Sequence, residues 1–205
     1  MNTLYRYNEI TFAFNRIYKI FDKTPWHPTY YISQDDKMLA GCKNIVSQLS
    51  LPVKFIPIQM KWYNAINIQA ATYFNMINQI EDNGEYKWSD DISKGIFLSN
   101  TGMYTAAQIA AYMGIKEIYL IGVDHSFHIS TNDNGEIIIN ESAKDYFCDN
   151  YNRDKDNLYI PNLDKSTLTY QCMKKHCADR NINVYNATRG GKLEVFLRED
   201  FSRLF

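Results

Sequence analysis

Residues 101–122, TGMYTAAQIAAYMGIKEIYLIG, decide how the rest of the chain is read. Thr101 before Gly102 is a helix N-cap, the alanine-rich run continues to Met113, and Gly114 closes it as glycines commonly close helices. Lys116–Gly122 (KEIYLIG) then reads as a strand with apolar residues on both faces, the pattern of an interior strand in a parallel sheet. A capped helix leading straight into such a strand is the second half of a βαβ unit.

The flanks extend that alternation. Upstream, Gly95–Leu98 reads as extended, and Met60–Lys94 is the least regular stretch, with a short strand expected near Ala65–Gln69. Val53–Pro57, Thr29–Ser33 and Glu9–Asn15 read as strands, with a helical turn over Arg16–Phe21, a proline break at Thr24–Pro28 and a helix over Asp35–Leu49. Downstream, Ser126–Asp164 is a long polar excursion in which Asn134-Gly135 predicts a hairpin between Ser130–Thr131 and Ile137–Ile139. Leu163–Arg180 reads as a helix and Asn183–Asn186 as a last strand. The expected fold is a single α/β domain over residues 1–205. It has one doubly wound, mostly parallel, Rossmann-like sheet and a lid at residues 126–164.

With 205 residues, 45% hydrophobic and 22% charged, the chain fits an ordinary globular core. A net charge of −1 offers no basic face for nucleic acid. No apolar run approaches the ~18 residues of a membrane span. Cys42, Cys148, Cys172 and Cys177 form no C-x-x-C pair, and Met1–Ile10 has no signal-peptide pattern. Reduced thiols in a cytoplasm, with unglycosylated sequons at Asn140 and Asn186, are therefore expected.

Ligands of parallel α/β sheets bind beyond the carboxyl ends of the strands, so residues just after strands are the candidates for chemistry. Asn15 follows the first strand. Thr101-Gly102 offers a hydroxyl and helix N-terminal N–H groups to a phosphate, or is simply a cap. Gly122 leaves room for a ring, and Asp124 suits a ribose hydroxyl or a cation. Arg189 precedes two glycines after the last strand, where it fits a phosphate or an acidic acceptor. Asp124, His125 and His128 lack a fourth ligand, so no metal site is expected there. Ser130–Glu141 has calcium-loop spacing but begins with Ser130 and has no flanking helices, which favours a hairpin.

Ser99–Phe127 and Val184–Phe196 (VYNATRGGKLEVF) resemble the MptE-like family, named for an archaeal 6-hydroxymethylpterin diphosphokinase and including bacterial proteins of surface-polysaccharide loci. The first block is also similar to the small bacterial sialyltransferases that use CMP-sialic acid. That resemblance implies Asn15 and Thr101 near a donor phosphate, Ser33 near the transferred sugar, Gly122 and Asp124 at the nucleoside, and Tyr159 in the pocket. Asn162 stands where the sialyltransferases carry a catalytic histidine; an amide is no general base, which leaves His125, His128 or Asp164 to substitute. The family's opening strand and Gly-Asn-Gly-Pro-Ser loop have no counterpart before Glu9, so the first strand of the family fold is expected to be missing.

Three functions stay open on the sequence. One is a glycosyltransferase using a nucleotide-sugar, CMP-linked by the resemblance, with a glycan acceptor, Asp124, His125 and Asn162 as catalytic candidates and no permanently bound cofactor. Another is a pterin diphosphokinase using ATP and magnesium. The third is a truncated domain that binds a nucleotide without turnover. The related transferases associate, so the resemblance allows a homo-oligomer, while the sequence by itself does not set the oligomeric state.

Overall fold

The computed structural model describes residues 1–126, 129–131, 137–139, 151 and 159–205, with no account of the side chains at 129–131 and 137–139. It is a mixed α/β protein with parallel sheets, and its contacts group into two compact units. The first comprises Met1–Phe74 and His128–Ile160, the second Asn75–Phe127 and Pro161–Phe205.

In the first unit, helix α1 (Asn2–Tyr7) precedes β1 (Phe12–Phe14), a 3₁₀ turn (Ile17–Ile20), β2 (Tyr30–Ile32), α2 (Asp36–Gln48), β3 (Val53–Pro57), α3 (Ile58–Tyr63) and β4 (Ala71–Phe74). The strands form a parallel sheet in the order β1-β2-β3-β4, with Ala13 opposite Tyr31 and Tyr31 opposite Lys54. The order follows the chain without reversal. The strand expected near Ala65–Gln69 is corrected to Ala71–Phe74. Ile66 and Ile68 are buried there without joining a ladder, so their alternation reports core packing on a loop.

The α2 boundaries follow from its caps. The Asp35 carboxylate accepts from Met38 N at 2.8 Å, and the far end is held by a lysine from the sheet. Lys54, only 2% exposed, donates from Nζ to the carbonyls of Val46, Ser47 and Leu49, each at 3.2 Å. An ammonium there complements the negative end of the helix dipole and satisfies carbonyls the helix leaves open. Burial still pushes the Lys54 amine below its ordinary range.

The second unit opens with the parallel pair β5 (Met76–Ile77) and β6 (Ile96–Phe97), followed by α4 (Gly102–Tyr112) and β7 (Glu117–Leu120). Between its parts the chain returns to the first unit, where β8 (Ile129–Thr131) pairs antiparallel with β9 (Ile137–Ile139). That is the expected hairpin pairing; the Asn134-Gly135 turn, His128, Cys148, Asn140 and most of the 126–164 lid lie outside the described residues. Helix α5 (Leu163–Ala178) then leads to β10 (Asn183–Asn186) and β11 (Leu197–Arg198), giving a parallel sheet in the order β11-β10-β7.

One expectation is overturned in this unit. Among the described residues β7 pairs with β10 alone and lies at a sheet edge, with Glu117 and Tyr119 exposed. The two-sided apolar appearance of KEIYLIG came from Tyr119 and Ile121. Tyr119 stacks on Tyr185 of β10 at 5.1 Å, and Ile121 lies beyond the strand, exposed.

The core joins α4 and α5 to the sheet through Tyr104, Ala107, Leu120, Tyr170, Met173, Cys177 and Phe196. Burying each large apolar side chain contributes about 1.5–3 kcal/mol. Gln108 is a fully buried polar residue with its amide used on both sides. Oε1 accepts from Ser89 N (3.0 Å) and Phe97 N (3.1 Å), while Nε2 donates to Phe97 O (2.9 Å) and Tyr104 O (3.3 Å). It ties α4 to β6 where the ladder is only two residues long. Cys42, Cys172 and Cys177 are unlinked and buried, and burial pushes the Cys177 thiol up to about 12. Among the described residues no helix is long and apolar enough to cross a membrane.

Candidate functional site

The second unit places its polar residues where its own strands end. Past β7 the chain runs Ile121-Gly122-Val123-Asp124-His125; past β10 it runs Ala187-Thr188-Arg189-Gly190-Gly191. Buried Thr188 joins the two ends: its Oγ1 accepts from Val123 N at 3.0 Å and lies 3.4 Å from Leu120 O. Asn186 supports Thr188, accepting from its N–H at 3.0 Å while donating to Leu193 O at 2.8 Å. At 1% exposed and bonded on both sides, this sequon asparagine is structural.

A second clasp lies beside the first. Lys192 N donates to Asp124 O at 2.7 Å, and Gly191 passes so close that a Cβ there would sit 3.0 Å from Asp124 Cα. Arg198 braces the same turn, donating to Gly190 O (2.7 Å) and Gly191 O (3.1 Å) while pairing with Glu194 at 2.6 Å. Gly191 thus serves close backbone approach, and Arg198 is the turn's structural cation. Arg189 is exposed, with its guanidinium 5.6 Å over the Phe201 ring.

His125 adopts a left-handed backbone (φ 52°), uncommon for a residue with a side chain and frequent at functional positions. Its Nε2 lies 2.9 Å from Thr167 Oγ1, and that hydroxyl donates its only proton to Leu163 O at 2.8 Å. Thr167 therefore accepts from His125, which places the imidazole proton on Nε2 and the basic lone pair on Nδ1. Burial lowers the His125 pKa below its ordinary value, keeping the ring neutral and able to accept a proton near pH 7.

The His125 ring stands edge-on to Tyr170 at 5.6 Å, and the Tyr170 hydroxyl is 3.4 Å from Thr101 Oγ1. Burial raises the Tyr170 phenol, so it stays protonated as a donor. Thr101 caps α4 by accepting from Met103 N at 3.3 Å. Gly102 begins that helix, and Gly122 is exposed with φ 69° and no atom within 4 Å of an added Cβ. Thr101, Tyr170, His125 and Thr167 thus form one contact chain toward the loop that carries Asp124.

The remaining candidates are held by partners within their own units. Asn162 is exposed and caps α5, accepting from Lys165 N at 2.9 Å. In the first unit, Asn15 follows β1 in a left-handed conformation (φ 52°), and buried Ser33 donates to its Oδ1 at 3.2 Å. Tyr31 donates to Asn15 O at 2.7 Å, and the buried Arg16 guanidinium donates to Tyr151 O. Asn15 and Ser33 therefore share the carboxyl edge of their own sheet. Tyr159, of the same unit, donates to Asp36 Oδ1 at 3.0 Å at the start of α2, with Lys37 Nζ 4.6 Å over its ring. Among the described residues no three His, Cys, Asp or Glu side chains gather as a metal ion would require.

Thr167, Tyr170, Thr188 and Arg198 were not singled out by the sequence. Thr167 and Tyr170 lie three apart on α5, a spacing that puts both on one helix face, and this was the available signal. Compared with known proteins, the chain matches no family model, no curated protein and no solved structure.

Proposed function

We propose that this chain is a nucleotide-sugar glycosyltransferase built on a Rossmann-like α/β fold, acting on a glycan acceptor in bacterial surface-glycan synthesis. The observation that carries the reading is the contact chain Thr101–Tyr170–His125–Thr167 beside the Asp124 loop, beyond the strand ends of the second unit. It combines a neutral base, hydroxyl donors and a helix N-terminus, which together suit departure of a phosphate and attack by a hydroxyl. The resemblance of Ser99–Phe127 to the CMP-sialic-acid transferases supports the same reading.

In this reading Asp124 accepts from the nucleoside hydroxyls and Gly122 leaves space for the ring beside it. His125 Nδ1 takes the proton of the acceptor hydroxyl as that oxygen bonds to the sugar's anomeric carbon. The bond from that carbon to the phosphate oxygen breaks, with its electron pair leaving on the nucleotide. Of the paired Thr101 and Tyr170 hydroxyls, one donates to the other and the second donates to the departing phosphate. The reaction yields a glycoside and a free nucleotide, and no redox partner is needed.

The test is nucleotide release from CMP-sugars and UDP-sugars in the presence of EDTA, with wild type and His125→Gln. The expected result is release by wild type, reduced about 10²–10⁴-fold in His125→Gln, the range for loss of a general base. Release that depends on magnesium and ATP would favour the diphosphokinase. Nucleotide binding without any turnover would leave a binding domain.

A further inference from the structure

A groove of about 670 Å³ runs along α5 in the second unit, reaching His125 and bounded on its other side by residues 192–195. Its helix wall carries Thr167, Gln171, Lys174 and Lys175, positions that share one face of α5. The wall extends to Ala178, eleven residues beyond Thr167, so it is roughly 16 Å long at 1.5 Å rise per residue. That length suits an elongated ligand better than a single ion.

The charges along it are unequal. Glu194 is neutralised by Arg198 at 2.6 Å, and Lys175 is neutralised by Glu85 at 2.7 Å. Lys174 spends one proton on the Val195 carbonyl at 2.8 Å, which positions the ammonium without cancelling its charge. The Lys192 ammonium has no partner among the described residues, while its backbone N–H is fixed on Asp124 O at 2.7 Å. Among the described residues, two cations without an acidic partner thus flank a groove that reaches the residue with the candidate base, in a chain whose net charge is −1. Lysines act as point charges toward phosphate or carboxylate without demanding one geometry.

We infer that this groove is the binding site for an elongated anion, and that the acceptor of the proposed transfer is a phosphate- or carboxylate-bearing glycan. Only the word acceptor rests on the transferase reading; the anion site itself does not. The probes are inorganic tripolyphosphate and a short oligogalacturonate, titrated by calorimetry at low and raised salt. They are added to wild type, the double variant Lys174→Gln/Lys192→Gln, and Lys94→Gln, an exposed lysine outside the groove.

At least one anion should bind wild type and weaken with salt, and the one that binds tells phosphate from carboxylate. The double variant should bind it about tenfold more weakly, with Lys94→Gln unchanged. Equal binding by the double variant and wild type, or no binding of either anion, overturns the inference. Anion binding that survives in a protein with no affinity for any nucleotide would uphold the groove and refute the transferase reading.

Discussion

Replacing Gly191 by alanine tests the clasp that fixes the Asp124 loop. Gly191 has φ +76°, and its new Cβ would meet Asp124 Cα at 3.0 Å and Asp124 O at 3.1 Å. Both are backbone atoms, so neither can rotate away as a side-chain tip would. A Cβ in the left-handed region costs about 1–2 kcal/mol, and forcing apart packed backbone costs about 1–3 kcal/mol more. Gly190 supplies the control, since it has the same φ of +76° with nothing within 4 Å of an added Cβ. Gly190→Ala should pay only the conformational cost. Urea denaturation of both variants should therefore show Gly191→Ala less stable than Gly190→Ala by about 1–3 kcal/mol. Equal losses would refute the close approach and, with it, the argument that Gly191 helps to set the position of Asp124.

Thr188→Val preserves shape but removes the acceptor of the Val123 N–H, so it should destabilise by about 1–3 kcal/mol in the same denaturation assay. Gln108→Leu strips the Ser89 and Phe97 N–H groups of their acceptor and Phe97 O of a donor, and should lower stability by about 2–4 kcal/mol. His125 is held below its ordinary value of 6.5, so the unfolded chain takes up the proton first as pH falls. Its contribution is then intact above 6.5 and is lost as pH drops through the folded-state value, a decline absent from His125→Gln. An NMR titration of the His125 ring should show a midpoint below 6.5, and a midpoint at or above it would contradict the burial argument.

Residues whose conformation is set locally were legible in the sequence. Val53–Pro57 and Asn183–Asn186 are strands at the expected limits, and α2 and α4 begin beside Asp35 and Thr101 because those side chains cap their own first turns. What depends on long-range pairing was not. The edge position of β7 depends on which strands flank it, and hydropathy cannot separate a buried face from one covered by a stacked tyrosine such as Tyr185. Ala65–Gln69 misled because Ile66 and Ile68 alternate into the core from a loop. At the site, Asp124 and His125 follow a strand and could be found by position. Tyr170 and Thr167 lie some forty residues on, and only the packing of α5 brings them to His125. Asn162 enters through the resemblance alone, and in the structure its side chain caps α5.

The central claim is that a nucleotide binds at the Asp124 loop of the second unit. The direct test is calorimetry of CMP, UDP and GDP with wild type and Asp124→Asn, all in EDTA. Asp124→Asn keeps the shape and removes the charge. One nucleotide should bind wild type without a divalent ion, and the variant should bind it about 5–150-fold more weakly, as expected for about 1–3 kcal/mol of charged hydrogen bonding. Equal affinity in the two proteins, or no binding of any nucleotide to wild type, would contradict the claim.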